Sequence, residues 1–189
     1  MPAPVDHDEK RRDLARIAAT LIAERGLQAA TIREVAARVG FSTTVVTHYF
    51  STKREMLFAA YRHTAEQAQE RFNATARSLP GDPLARLESL LPVDEESRQA
   101  WRLYFQFWPM ADHDAEMAEA QRWWNRHAVT LAARALQEAY PEIGALDEKA
   151  ALVLSGLHGI AVQALFDPGE WPAERQRRML RTQTRLLLG

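Results

Sequence analysis

The chain has 189 residues, of which 47% are hydrophobic and 26% charged, and its formal net charge is −1. This composition is typical of a chain that buries a core, and the charge excludes a polycation that binds nucleic acid by charge alone. The absence of cysteine excludes disulfides, thiolate metal sites and a cysteine nucleophile, and favours a cytoplasmic protein. We expect neither a membrane span nor a signal peptide, because long apolar runs are interrupted by polar residues and the start, MPAPVDHDEKRRD, has no apolar segment.

Helical periodicity extends along nearly the whole sequence, and no segment alternates as a strand would. The first helix is expected over residues 8–25, with Gly26 ending it. Thr31, with Glu34 three residues later, predicts a capping box at the second helix. The pattern therefore begins with two helices separated by a short turn.

The next signals predict two further helices. Gly40 ends the second helix, Ser42 is expected to cap a short third one, and Ser51 or Thr52 begins a long helix that runs to about Ser78. Beyond a Pro/Gly-rich break, apolar periodicity and caps such as Asp147 predict five more helices, over about 83–91, 94–110, 112–139, 148–166 and from Pro172 to the end. The fold class is all-α, with about nine helices.

The second and third helices have only about two turns each, so neither would be stable alone in water. They are typical of a helix-turn-helix packed on the first helix, in which Gly40 occupies the turn because it adopts a left-handed conformation easily. Five residues fall at inward-facing spacings: Val35, Val39, Phe41, Val46 and Tyr49.

The third helix would expose a run of short polar residues. A helix-turn-helix lays this helix in the major groove, where such side chains reach base edges and phosphates. The alternative is a solvated face of an ordinary three-helix unit, and charge does not decide, since residues 1–55 hold nine Lys/Arg against seven Asp/Glu. The exposed candidates are Ser42, Thr43, Thr44, Thr47 and His48.

The segment RIAATLIAERGLQAATIREVAARVGFSTTVVTHYFSTKREMLFAA resembles the N-terminal DNA-binding domain of the TetR family of bacterial transcriptional regulators, over about residues 14–60. The ending HYF is similar to the BetI-like branch. The resemblance implies a DNA-binding domain over 1–52 and a larger helical ligand-binding and dimerisation domain over 53–189. Shared features include Ala19, Gly26, Thr31, Ile32, Ala36, Gly40, Ser42, Phe50, Lys53 and Leu57.

The resemblance also implies roles for single residues. Phosphate contacts would fall to Thr31, Tyr49 and Lys53, and base or backbone contacts to Thr43, Thr44, Thr47 and His48. This sequence has Thr43-Thr44 where the family often has Lys-Gly or Pro-Gly, and Thr47 where it often has Tyr. Base preference therefore does not transfer from the family.

Residues 101–127 hold four of the five tryptophans. Trp101, Tyr104, Phe105 and Trp108 form one helical stripe, which is either core or the wall of a small-molecule cavity. The resemblance implies such a cavity between the central helices, with these four residues and Trp123 and Trp124 as candidates. A lipophilic cation held by cation–π contact, a neutral aromatic compound and an acyl chain all remain open as ligands.

No metal or cofactor is expected. Asp112, His113 and Asp114 are consecutive, so they point in different directions and are better interpreted as a helix cap. His127 and His158 are single histidines on otherwise apolar helices, which is typical of core or interface residues.

The helix over 148–166 is apolar on more than one face and so needs two partners. Burial within one subunit is one interpretation, and the resemblance implies the other, a four-helix dimer interface made by the last two helices. A two-fold protein would read an inverted repeat. The interface candidates are Leu154, Leu157, His158, Ala161, Met179 and Leu186.

The sequence contains no nucleophile elbow, phosphate-binding loop, dinucleotide fingerprint or zinc-protease motif, so we expect no enzyme activity. The expected function is a homodimeric, ligand-responsive transcriptional regulator, a repressor that a small molecule releases from an inverted-repeat operator. The alternative is a helical small-molecule-binding or enzymatic protein in which the N-terminal motif is only a scaffold.

Overall fold

The computed structural model describes residues 7–188, and these form nine helices and no strand, which confirms the predicted fold class. Turns and short loops connect them. The helices are α1 (His7–Arg25), α2 (Ile32–Val39), α3 (Thr43–Tyr49), α4 (Lys53–Ser78), α5 (Pro83–Glu88), α6 (Glu95–Ala111), α7 (Ala115–Ala139), α8 (Leu146–Phe166) and α9 (Ala173–Leu188).

The caps of α2 and α8 differ from the expectation. The Thr31 hydroxyl does accept a hydrogen bond from the Glu34 amide at 3.1 Å, but the Glu34 carboxylate binds Arg25 at 3.2 Å instead of closing the capping box. Asp147 lies in the first turn of α8, and the N-cap is Ala145, with a left-handed backbone (φ 51) and no side-chain bond. Asp147 therefore acts on the α8 dipole and not as its cap.

A first core joins α1, α2, α3 and the start of α4. Val35, Val46 and Phe50 are completely buried in it. Leu103 and Phe107 of α6 belong to the same core, so residues beyond the helix-turn-helix complete it. The division at residues 52 and 53 thus separates two predicted roles but not two independent cores.

A second core lies among α4 to α9. Phe72 of α4, Trp101 of α6, Leu136 of α7 and Leu157 of α8 are all buried in it. The α6 helix consequently faces both cores, and Tyr104 packs against the two of them. The two halves of the chain are joined by packing as well as by the continuous α4 helix.

Among the described residues, α8 has the length and composition of a helix that could cross a membrane. Length and composition do not distinguish a spanning helix from a core helix. In this structure Val153, Leu157 and Ala161 of α8 are buried in the second core, which explains the apolar character of that face.

The turn between α2 and α3 depends on Gly40, whose φ is 69°. The Phe41 amide donates to the Ala36 carbonyl at 2.9 Å across it. Gly40→Ala is expected to lower the free energy of unfolding by about 1–2 kcal/mol, because a Cβ disfavours the left-handed conformation. A Cβ at this position meets no atom within 4 Å, so the loss would come from the backbone alone.

The matched control is Gly81→Ala, which also adds a Cβ in open space but at a position without a positive φ. Urea unfolding of the two variants should show a loss only for Gly40→Ala. Equal stabilities would show that the turn tolerates an ordinary residue.

Candidate DNA-binding surface, central cavity and subunit face

The α3 helix turns its polar residues to solvent. Val46 and Phe50, both fully buried, anchor it on the first core. Because these two residues face inward, the candidate DNA-contacting residues share the outer side of the helix-turn-helix. The exposed set is Ser42, Thr43, Thr44, Thr47 and His48.

The hydroxyl groups on this surface are not equivalent. Thr47 Oγ1 donates to the Thr44 carbonyl at 3.0 Å, so Thr47 can offer a partner only lone pairs and a methyl group. The Thr44 hydroxyl has no partner in the described part of the chain and can donate and accept. Ser42 occupies the N-cap position of α3 but makes no capping bond, contrary to the prediction, so its hydroxyl is likewise open.

Three further candidates surround α3. The Lys53 ammonium lies 3.3 Å from the Gln28 carbonyl, next to the loop between α1 and α2, and no carboxylate of the described residues pairs with it. The half-buried Tyr49 ring packs 4.7 Å from the His7 ring and 5.3 Å from the His48 ring, measured between ring centres. Thr31 uses its oxygen as a cap acceptor, which leaves its proton free to meet a phosphate.

The sequence patterns missed two residues of this surface. Val45 is 38% exposed next to Thr44, where an apolar side chain can contact a thymine methyl group. Arg33 is exposed in the first turn of α2 and has no carboxylate partner among residues 7–188. The signal that could have found them is position alone, since Val45 follows Thr44 directly in α3 and Arg33 lies two residues after the cap residue Thr31.

A cavity of about 130 Å³ lies between α4, α6, α7 and α8. An apolar cavity of roughly this size can hold one benzene ring. The Trp101 indole donates to the Leu90 carbonyl at 2.8 Å, which fixes the ring in the wall. Four of the six predicted residues line the cavity: Trp101, Tyr104, Trp108 and Trp124.

The other two predicted residues lie outside the wall. Phe105 packs edge-on against Trp108, with ring centres 4.8 Å apart. Trp123 is half exposed and stacks on His127 at 5.0 Å. Pro109 lies inside α6, which continues to Ala111.

Polar side chains of the wall were not predicted, because they come from helices distant in sequence. Tyr61 of α4 donates to Gln121 of α7, and burial raises the pKa of the Tyr61 hydroxyl. His158, predicted at the dimer interface, lines the cavity with its ring 5.5 Å from Trp101. Burial lowers the pKa of His158, so the ring is neutral at pH 7. The other polar residues of the wall are Gln69, Arg71, Asn125 and His127.

The acidic residues near the aromatic cluster lie outside the cavity. Asp114 caps α7, as predicted, by accepting from the Met117 amide at 3.1 Å. Its carboxylate also receives two hydrogen bonds from Arg54, at 2.9 and 2.8 Å, which hold the pKa of Asp114 at about 2. Glu116 binds the same guanidinium at 2.8 Å. The described residues contain no group of three His, Asp or Glu side chains placed to hold a metal ion.

Most of the predicted interface residues face inward. Leu154, Leu157 and Ala161 are at most 5% exposed, and His158 lines the cavity, so these four are occupied within the subunit. Met179 and Leu186 are exposed, at 42% and 80%. Periodicity alone did not tell which apolar face of α8 would meet the core.

The free face of α8 and α9 carries other large apolar residues. Leu152 and Phe166 of α8 are 48% and 83% exposed, and they add to Met179 and Leu186. At Gly156 an added Cβ would clash with the Gln183 side chain, which crosses from α9 and donates to the Leu152 carbonyl at 3.2 Å. At Gly159 an added Cβ would meet no atom within 4 Å, so this side of α8 is open.

An exposed Ser/Thr-rich helix on a helix-turn-helix, joined through α4 to a helical unit with an aromatic cavity, defines the class of ligand-binding, DNA-binding regulators. The model of the bacterial regulatory proteins of the TetR family matches residues 16–60. The model of the BetI-type transcriptional repressor C-terminal domain matches residues 84–189. The chain therefore belongs to the TetR family and is a transcriptional regulator, not an enzyme.

Individual relatives agree with this assignment. The transcriptional regulator PksA of Bacillus subtilis is 27% identical over 95% of this chain and 90% of its own. BetI of Stenotrophomonas maltophilia is 31% identical over 65% of this chain and 64% of its own. A crystal structure of a transcriptional regulator from Rhodococcus is 31% identical, with a TM-score of 0.81 over 94% of this chain and 95% of that one.

A further crystal structure, of a regulator from Saccharomonospora viridis in complex with choline, has a TM-score of 0.74 over 93% of this chain and 95% of that one. Its identity is 22%, so it supports the fold alone.

The charged and the uncharged candidates of this surface should affect DNA binding in different ways. Lys53→Ala should weaken binding to all duplexes alike and reduce the salt slope of log K by about 1, because an ammonium on a phosphate carries no sequence information. Thr44→Ala should change the preference between sequences, since its hydroxyl is free to donate to and accept from a base edge. Fluorescence anisotropy on two duplexes at several salt concentrations measures both effects.

Arg62→Ala serves as the control for Lys53→Ala, because Arg62 lies further along α4 and pairs with Glu66 at 3.6 Å. A Lys53 variant that loses affinity for only one duplex would contradict the phosphate role.

Proposed function

We propose that this regulator is a homodimeric repressor that binds an inverted-repeat operator and is released when a small molecule enters the cavity. Such a protein acts on DNA in the cytoplasm. The observation that carries the proposal is the double role of α4. Met56 and Leu57 at its start are buried in the first core, while Tyr61, Ala65 and Arg71 further along line the cavity.

Release would follow from packing. A ligand between α4 and the aromatic wall would release DNA by binding a displaced arrangement of α4 or α6 more tightly than the present one. Leu103 and Phe107 carry any movement of α6 into the first core. A coupling free energy of about 1–3 kcal/mol between ligand and DNA would change operator affinity about 5–150-fold.

Dimerisation is supported by the free face of α8 and α9. Leu152 and Phe166 lie two helical turns to either side of the open position at Gly159, and Met179 and Leu186 are exposed on α9. Two copies of these helices would form a four-helix interface, and the two-fold axis would present one α3 to each half-site. This interface keeps two of the residues expected from the sequence and replaces the four buried ones.

The aromatic wall suits more than one ligand chemistry. A regulator of similar fold was crystallised with choline, and aromatic faces bind such quaternary ammonium compounds through cation–π contact, so this is one candidate ligand class beside neutral aromatic compounds and acyl chains. The cavity size favours a ligand no larger than about one ring.

Operator selection tests the DNA-binding part of the proposal. Repeated selection from a randomised duplex pool at moderate salt should recover an inverted repeat, because two recognition helices related by a two-fold axis read the same half-site twice. The Thr44→Ala, Thr47→Ala double variant should lose affinity for that repeat while keeping its thermal unfolding midpoint. If no repeat is enriched, or if binding ignores both threonines, α3 is a scaffold and the proposal fails.

The dimer interface has its own test. Gly159→Arg should convert the dimer to a monomer and weaken operator binding, because it places a charge in the proposed interface at a position where an added Cβ meets no atom within 4 Å. Gly81→Arg is the control, since an added Cβ there also meets open space. Analytical ultracentrifugation distinguishes the outcomes, and a dimeric Gly159→Arg protein would place the interface elsewhere.

A further inference from the structure

One cation lines the cavity with part of its hydrogen-bonding capacity unused. Arg71 of α4 binds Glu96 through Nη1 at 3.1 Å on the outer side, where the Glu96 carboxylate is 70% exposed. Arg71 Nε is buried and has no hydrogen-bond partner, and Nη2 has none within residues 7–188. The Nε–Nη2 edge presents two parallel N–H groups, the arrangement that binds a carboxylate bidentately.

Other polar groups of the same wall are also unpaired. The Tyr104 hydroxyl has no hydrogen bond in the described part of the chain. Burial raises the pKa of this hydroxyl, and the positive charge of Arg71 opposes part of that shift. His127 Nε2 is buried without a partner. By contrast, the Tyr61 hydroxyl is already bound by Gln121.

The charges around the cavity are unfavourable for a cation. The lining residues described include Arg71 but no Asp or Glu. Two acids lie near Arg71. Asp94 caps α6, and Glu96 pairs with Arg71 on the exposed outer side. Asp114 and Glu116 bind Arg54. A cationic ligand would meet a guanidinium and leave its buried N–H unpaired, which is costly in an apolar site.

We propose, on the basis of the function above, that the effector is a small apolar carboxylate of about one ring. Its carboxylate accepts from the Tyr104 hydroxyl and from the unpaired Nε–Nη2 edge of Arg71. Because Nε is buried in the structure, the guanidinium turns toward the cavity to make this contact. Its apolar body lies among Trp101, Trp108 and Trp124. A cavity of about 130 Å³ accommodates one ring, and the aromatic walls exclude water from the ion pair, which strengthens it.

Matched probes test the charge of the ligand. Benzoate and phenylacetate are compared with their neutral amides, benzamide and phenylacetamide, and with choline and phenyltrimethylammonium, by isothermal titration calorimetry on the full-length protein. At least one carboxylate should bind about tenfold or more tightly than its own amide, because a hydrogen bond to a charged group is stronger than a neutral one. Because this comparison uses the unmodified protein, its result does not depend on whether a variant folds.

Variants of Arg71 test the residue. Arg71→Met should weaken carboxylate binding about 10- to 100-fold while the Kd of the amides changes less than about threefold. Arg71→Lys should recover only part of the loss, since an ammonium lacks the planar fork. Arg62→Met, on the same helix but outside this cavity, should leave every Kd unchanged.

Three results would overturn the inference: a cation that binds more tightly than both carboxylates, carboxylate binding that is independent of Arg71, or no binding of either carboxylate.

Operator release by the same compounds separates this inference from the proposed function. If a cation or an amide fills the cavity and releases DNA, the repressor function stands and the carboxylate effector is rejected. If compounds bind in the cavity and operator affinity never changes, the ligand-released repressor itself is rejected.

Discussion

The packing of α4 is the constraint on which the rest of the structure depends. One continuous helix supplies buried residues to the helix-turn-helix core, such as Met56, then wall residues to the cavity, such as Tyr61, and then Phe72 to the second core. A helix transmits displacement along its axis because its backbone hydrogen bonds keep it stiff. A change in the cavity that displaces α4 therefore also displaces its first residues, which pack in the helix-turn-helix core.

Two other contacts reinforce this link. The α6 helix places Leu103 and Phe107 in the first core and Trp101 in the second, with Tyr104 against both. Arg54, next to the candidate phosphate ligand Lys53, is bound by Asp114 at the start of α7. The aromatic wall and the DNA-facing end of α4 are thus connected by apolar packing inside and by an ion pair at the surface, where exchange with solvent makes the pair weaker.

Electrostatics divide the molecule in a comparable way. Around the helix-turn-helix several cations are already paired, for example Arg25 with Glu34 and Arg38 with Glu24. Within residues 7–188 few free cations therefore remain there, and uncharged hydroxyls form much of the candidate DNA-binding surface. Inside, Arg71 has one edge paired and one edge unpaired. In both places the candidate binding groups are donors and acceptors that the fold leaves without a hydrogen-bond partner.

The sequence by itself determined the helices, the turn at Gly40 and the exposed face of α3, because these depend on local periodicity, backbone preference and caps. It also predicted Trp101, Tyr104, Trp108 and Trp124 as a group. Only the tertiary structure decided which face of α8 is buried, since both faces are apolar and periodicity is the same for each. The tertiary structure alone placed Arg71 of α4 beside the aromatic residues of α6. These helices are far apart in the chain, so no local sequence pattern indicates that they meet.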